Sequence, residues 1–351
     1  MAYESYDYKR MGAGMTFIPN KPFVMSIAEG EVAGYSYVEK FGHNPDIDSG
    51  SVPETIWDNS DQVVYPTAAR IHDFASTSAQ DVGTLVSTGT ATGGSKTTII
   101  DTGATFLSDH VAAGDTVIND TTMEHSVVVT VDSETQITTE NTRHGDNLTD
   151  SGDTYRVVSP AGTGASVVHI KQGLDGALEP LEEFVITNGT TNVPTLNEYL
   201  RIPRVHIEGA ASAAASNVGD ITATAQTDGT VTAIIGAGEG QTAQAFYTVP
   251  AGKTAWLENW WGSLNRKGST AGAMVDIELW VTPHAISGAS GSRLGQVMAL
   301  SISGTSSDRH DLGEGGIKFE HETDIEIRCV YTSDNNVKMS AGFRLRIKDN
   351  E

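Results

Sequence analysis

The chain of 351 residues has a single cysteine, Cys329. One thiol excludes an internal disulfide framework and a thiolate metal cluster. Cys329 lies in Ile325-Glu326-Ile327-Arg328-Cys329-Val330, an alternating strand pattern, and is expected as a small buried core residue, with a reactive thiol as the alternative. Cations are also scarce: Lys and Arg total 22 against 45 Asp and Glu, for a formal charge of −23. They are scattered singly, so the clustered positive charge that displaces counterions from a polyanion is missing, and nucleic acid is not an expected partner. The one dense basic stretch, Arg344-Leu345-Arg346-Ile347-Lys348, alternates as a terminal strand with a solvated polar face. No apolar run has the length of a membrane span, and residues 1–14 contain no apolar signal-peptide core. Neither membrane insertion nor processing is expected.

Helical periodicity is equally rare. Few stretches place apolar residues at i, i+3, i+4 and i+7 over three turns, and the Ala-rich residues 209–216 offer too little to bury. What is present is alternation, as in Met274-Val275-Asp276-Ile277-Glu278-Leu279-Trp280-Val281 and Gly342-Phe343-Arg344-Leu345-Arg346-Ile347. The 37 glycines supply turns between such runs. Val249-Pro250-Ala251-Gly252-Lys253 has turn chemistry, and Asn188-Gly189 predicts a type I′ hairpin turn. The expected fold is all-β, with antiparallel β-sandwich or jelly-roll-like domains and a small inserted β-domain.

Composition shifts to Thr, Asp, Gly and Val over residues 83–159, where six short strand-like runs are each bounded by Gly, Asp or Ser. Excising this stretch joins residues 76–81 to Ala161-Gly162-Thr163-Gly164-Ala165, a sensible polar connection. The expected organisation has an N-terminal extension or arm at residues 1–50 and a discontinuous host sandwich at 51–82 plus 160–221. The inserted module occupies 83–159, and a C-terminal sandwich covers 222–351.

Catalytic and metal signatures are missing. Gly236-Ala237-Gly238-Glu239-Gly240 is not followed by a helix that could present amides to a phosphate, and Glu239 would repel one, so a turn is expected. Asp46-Ile47-Asp48-Ser49-Gly50 is partly similar to a calcium loop. It has Gly50 at position 5 and Trp57 at position 12, which breaks the EF-hand pattern. An Asx-rich connector is expected, with a non-EF calcium site around Asp46, Asp48, Glu54 and Asp58 as the alternative. The 10 histidines stand in no H-x-H or H-E-x-x-H pair. There is no G-x-S-x-G elbow, and carboxylate pairs carry no meaning in so acidic a chain. No catalytic residue, cofactor or metal ligand is expected.

Aromatic residues are few but clustered. Trp256-Leu257-Glu258-Asn259-Trp260-Trp261 is the densest group, with Trp280 nearby. A regular strand puts Trp256 and Trp260 on one face and Trp261 on the other, with at least two of the four indoles in the core. Trp256, Trp260 and Trp261 are the candidate interface anchors. Tyr6, Tyr8 and Phe17 belong to an aperiodic aromatic stretch that suits either a disordered tail or an arm ordering against neighbours.

Across the excised stretch, the remaining sequence resembles a family of virion structural proteins of tailed phages of marine bacteria, notably cyanobacterial phages. The elements that carry the resemblance begin with Gly34-Tyr35-Ser36-Tyr37-Val38-Glu39-Lys40-Phe41-Gly42-His43-Asn44-Pro45-Asp46-Ile47-Asp48, Val52-Pro53-Glu54-Thr55-Ile56-Trp57-Asp58 and Tyr65-Pro66. They continue through Ile170-Lys171-Gln172-Gly173-Leu174-Asp175, Gly238-Glu239-Gly240-Gln241-Thr242 and residues 247–255, to Ile325-Glu326-Ile327-Arg328 and Ala341-Gly342-Phe343. The inserted stretch is similar to Thr/Asp/Gly-rich β-modules that recur on unrelated phage virion proteins. The resemblance implies a non-enzymatic virion component assembled in the bacterial cytoplasm, self-associating and joined to other capsid, neck or tail proteins. Decoration of the head is the leading expectation. The alternative is a tail or head fibre whose partner is host surface glycan.

Overall fold

The computed structural model describes residues 23–59, 61–142, 147–212, 215–265, 273–283, 296–304, 306–313 and 315–350. One helix, Phe23–Ala28, precedes β1 (Tyr35–Ile47) and β2 (Glu54–Thr55). Next come β3 (His72–Ser76), then β4 (Gly83–Thr90), β5 (Gly93–Ser95), β6 (Thr98–Ile100), β7 (Thr116–Asn119), β8 (His125–Ser133), β9 (Gln136–Thr139) and β10 (Thr154–Pro160). The chain continues through β11 (Ala165–Leu174), β12 (Pro180–Ile186), β13 (Val193–Pro194), β14 (Val205–Ala210), β15 (Ile221–Ala225) and β16 (Val231–Ile235). It ends with β17 (Phe246–Thr248), β18 (Lys253–Asn265), β19 (Met274–Pro283), β20 (Gln296–Ser303), β21 (Ser307–Asp311), β22 (Ile317–Phe319), β23 (Thr323–Thr332) and β24 (Val337–Asp349).

Two compact units divide these strands, residues 63–244 forming one and the flanking segments forming the other. The flanking unit is an antiparallel β-sandwich of two sheets, β1-β24-β18-β21 and β17-β23-β19-β20, with β22 and β2 attached to β18 and β23. Counted in chain order, its eight principal strands fall as 1-8-3-6 in one sheet and 2-7-4-5 in the other. That is the double Greek key of a jelly roll. Alternation drives the arrangement: Val275, Ile277 and Leu279 of β19 and Leu345 and Ile347 of β24 turn inwards to one shared core. The polar partners Arg344, Arg346 and Lys348 turn outwards, half-buried.

The 63–244 unit contains a smaller sandwich. Sheets β13-β3-β15-β16 and β12-β11-β14 enclose Phe74, Val168, Ile170, Val185, Val205, Ile221 and Ala223. Between β3 and β11 the chain leaves to build a seven-stranded sheet, β4-β10-β7-β8-β9-β6-β5, around a separate core that includes Ile99, Phe106, Val117, Ile137 and Tyr155. The excursion begins and ends side by side, with Gly83 paired to Pro160. Gly83 is pressed against the sandwich, where a Cβ would lie 2.4 Å from the Ser166 carbonyl oxygen.

Three features differ from the sequence reading. Residues 35–47 are not part of an arm: as β1 they pair with β24 from Tyr35↔Lys348 onwards and complete the jelly roll. The smaller sandwich does not end at residue 221, because β15 pairs with both β3 and β16 and carries that unit on to residue 244. Both errors concern pairing between strands far apart in sequence, which periodicity does not encode. Asn188-Gly189 makes a turn but no hairpin. Only Gly189 has positive φ, Asn188 bridges to Val82, and β13 pairs with β3.

Cys329 is fully buried in the jelly-roll core, and its desolvated thiol is pushed up to about 12. The native protein should therefore resist thiol reagents at pH 8, while unfolding in guanidinium releases one reactive thiol per chain. Labelling of the folded protein at the rate of a free thiol would contradict the burial. His72 is buried on β3, and its Nδ1 donates to the Arg70 carbonyl oxygen at 2.9 Å. Burial lowers its pKa below 6.5, outweighing the hydrogen bond and the nearby carboxylates. The unfolded chain thus takes up this proton first as pH falls, so His72 contributes stability above about pH 6.5 that is lost on acidification below it. Replacing it by Asn, which retains a donor for Arg70, should flatten that part of the stability–pH curve. Parallel curves for wild type and H72N in urea titrations would refute this assignment.

Candidate functional site

β18 carries the aromatic cluster, and its register explains where each indole goes. Leu257 pairs with Leu345, but Asn259 pairs with the next residue along β24, Arg344, leaving Glu258 as an extra residue in a β-bulge. The bulge reverses the alternation. Ala255 and Leu257 point inwards before it, and Trp260 and Leu264 after it. Trp256 and Trp261 therefore share the outer face, and Trp260 stands alone inside at 0% exposure. The regular-strand reading is corrected on both counts: Trp256 and Trp260 lie on opposite faces, and only Trp260 of the four indoles is fully buried. Trp260 is excluded as an interface anchor. Tyr6, Tyr8 and Phe17 lie outside the described residues.

The outer face built around Trp256 and Trp261 concentrates cations that are scarce elsewhere. Tyr37, Arg346, Trp256 and Lys318 form one cross-strand row, and Phe41, Gly342, Trp261 and Arg309 form another. The Arg344 guanidinium sits 4.3 Å above the Tyr37 ring, and that of Arg346 lies 5.4 Å from the Trp256 ring. Gly342 leaves space for the Trp261 indole, which a Cβ there would approach to 2.9 Å. The cations of this face lie against carboxylates, Arg344 with Glu39, Arg346 with Glu258, Lys318 with Glu320 and Arg309 with Asp311. The face thus offers flat aromatic surface framed by ion pairs, suited to a protein neighbour or a sugar ring.

A second grouping lies inside the 63–244 unit, where the inserted sheet meets the smaller sandwich. His169 on β11 stands opposite His206 of β14 and Phe184 of β12, so the three share one face of that sheet. Glu208 and Glu182 stand at irregularities in the strand register and both approach His169, at 3.9 and 3.1 Å. From the inserted sheet, Ile118 and Val158 pack against Val167 and Phe184. His125, paired with Ile118 on β8, brings its Nε2 to 2.8 Å from Glu208 Oε2.

His169 is fully buried and its ring stacks on Phe184 with centroids 3.9 Å apart. Its Nε2 lies 3.1 Å from Glu182 Oε2, and Lys171 Nζ lies 3.4 Å from the same oxygen. Its Nδ1 has no hydrogen-bond partner and faces Glu208 Oε1 at 3.9 Å. Burial opposes a charge on this imidazole, but Glu182 and Glu208 outweigh it and raise its pKa. Glu182 is held below its ordinary range, because His169 and Lys171 outweigh the effect of its own burial. One donor atom from each of His125, His169 and Glu208 falls within 4.8 Å of the others. Sequence spacing misses this grouping because its members come from three strands. The only hint is His206-x-Glu208, a spacing that places two donors on one face.

Several of the remaining sequence candidates have structural hydrogen-bond partners. Residues 236–240 form a turn in which Asn217 Oδ1 accepts from Gly240 N at 3.1 Å, and no helix follows. Asp48 accepts from Asn336 N at 2.7 Å, while Glu54 accepts from Asn44 Nδ2 at 2.9 Å and from Ser51 Oγ. The first is a side-chain-to-backbone bond and the other two join side chains of the connector and its neighbours. His310 and Asp311 are exposed on β21. No family model, curated protein or solved structure matches the chain.

The indole positions give a direct test. Trp260→Ala should destabilise the jelly roll by about 3–5 kcal/mol. Trp260→Phe should cost less, since the buried Trp260 Nε1 has no hydrogen-bond partner to lose. Trp256→Ala and Trp261→Ala should each cost about 1 kcal/mol. Equal losses for all three alanine variants in chemical denaturation would contradict the bulged register.

Proposed function

We propose that the chain is a non-enzymatic structural component of a tailed-phage particle, an accessory or decoration protein of the head that assembles with copies of itself and with other virion proteins. The observation that carries this reading is the jelly roll, an architecture used by viral capsid and lectin domains, interrupted by a unit that itself carries a separately cored β-module. A fold hosts many functions. The residue-level resemblance to virion proteins of marine phages therefore supplies the particle, and the jelly roll supplies a rigid part suited to it. The acidic composition favours solubility of the individual chains before assembly. The aromatic outer face around Trp256 and Trp261 is the surface we assign to contact with neighbouring proteins. That face also favours one second reading, a fibre protein that stacks host glycan on the same indoles.

Imaging and quantitative mass spectrometry of purified particles test the proposal. Head decoration requires the chain on the shell in hundreds of copies, and absence from purified particles would end the virion assignment. Trp256→Ala with Trp261→Ala should lower incorporation while leaving the soluble protein folded. Normal incorporation of this variant combined with lost binding to host cells would favour the fibre reading.

A further inference from the structure

We infer that His125, His169 and Glu208 form a binding site for a divalent transition metal of the zinc class, which staples the inserted β-module to the smaller sandwich. The inference does not depend on the virion assignment. Each ligand comes from a different strand: His125 from β8 of the module, His169 from β11 and Glu208 from β14. Their donor atoms lie within 4.8 Å of one another. A zinc ion needs nitrogens and oxygens at about 2.0–2.2 Å in a roughly tetrahedral array. The His125 side chain is 16% exposed and that of Glu208 only 6%, so closing the three donors onto one ion calls mainly on adjustment of His125.

His169 marks the position as a site. It is fully buried, its ring is clamped by Phe184, and its Nδ1 points at Glu208 without a partner. Its other nitrogen is bonded to Glu182. In the neutral imidazole this Nε2–H donates to the carboxylate, which places the lone pair on Nδ1, facing the cluster. A ligand histidine backed by a carboxylate is the usual second-sphere arrangement of zinc sites. His125 Nε2 and Glu208 Oε2 lie 2.8 Å apart, a spacing at which a carboxylate accepts a hydrogen bond through the Nε2 proton. Metal binding displaces that proton: His125 coordinates through Nε2 as the tautomer with its proton on Nδ1, and Glu208 coordinates as the carboxylate. Two imidazoles and one carboxylate select zinc, cobalt or nickel over calcium and magnesium, which prefer all-oxygen shells. Three protein ligands leave a fourth position for water.

The test uses the full chain, freed of metal with a chelator and titrated with Zn²⁺ by calorimetry and with Co²⁺ by visible absorption. One equivalent per chain is expected, with the intense spectrum of four-coordinate cobalt and no competition from Ca²⁺. His125→Asn and Glu208→Gln should abolish stoichiometric binding while circular dichroism stays unchanged. Glu182→Gln should weaken it about 10–100-fold. His169→Gln should behave like the other ligand variants, and His125→Asn, at the most exposed of the three side chains, decides the matter if a buried change prevents folding. Absence of stoichiometric binding, or wild-type affinity in both H125N and E208Q, would overturn the site. Hydrogen exchange tests the staple: zinc should slow amide exchange in β8 and β14 of the wild type alone. Stoichiometric zinc with unchanged exchange there would refute the stapling role.

Discussion

The antiparallel pairing of β1 with β24 is the constraint on which the jelly roll depends. It joins Tyr35–Ile47 to the far end of the chain in a register that runs unbroken from Tyr35↔Lys348 to Asn44↔Met339. β24 is held on its other side by β18, so its backbone groups are satisfied along both edges and its inner residues Met339, Ala341, Phe343, Leu345 and Ile347 are sealed in the core. Without β1, β24 would become a long open edge with hydrophobic alternation, the kind of surface that invites pairing with another chain. In sequence, residues 63–244 fall between the first two principal strands of this jelly roll.

The attachment of the inserted module to the smaller sandwich relies on different physics. An apolar contact joins Ile118 and Val158 to Val167 and Phe184. Beside the crossover stands Asp81, fully buried, whose carboxylate accepts from Ser76 Oγ at 2.6 Å and from the amides of Ala165, Val218 and Gly219 at 2.8–2.9 Å. Four donors compensate the desolvation of one carboxylate, and they tie together segments of the sandwich on both sides of the insertion. The His125–Glu208 contact adds a directional tie to the apolar one on the boundary with the module.

Local physics was legible in the sequence, and long-range pairing was not. Alternation in β19 and β24 identified their buried faces, and the compositional shift at residues 83–159 marked the stretch that builds its own sheet. Cys329 was readable as core because its strand alternates. The pairing of β1 was not readable, since nothing local in Tyr35-Ser36-Tyr37-Val38 names a partner at the other end of the chain. The bulge at Glu258 was equally hidden: one extra residue inverts the faces of Trp256 and Trp260, and a side-chain pattern of period two cannot announce it. The grouping of His125, His169 and Glu208 escaped for the same reason as β1, because a site built across strands has no spacing signature.

The insertion of residues 63–244 in sequence between β1 and β17 has a consequence for how the protein is made. During synthesis β1 emerges early, but nearly three hundred residues must follow before β24 arrives. At about 5–20 residues per second this delay lasts tens of seconds. The 63–244 unit is continuous in sequence and complete long before then. It therefore matures first on the ribosome, and within it the module, whose strands are closest in the chain, has the shortest loops to close. The jelly roll comes last, as a slow, high-contact-order step in which β1 must stay out of misplaced sheets until its partner appears. Cells producing this protein in quantity would feel that interval as a demand on their chaperones, set by topology alone.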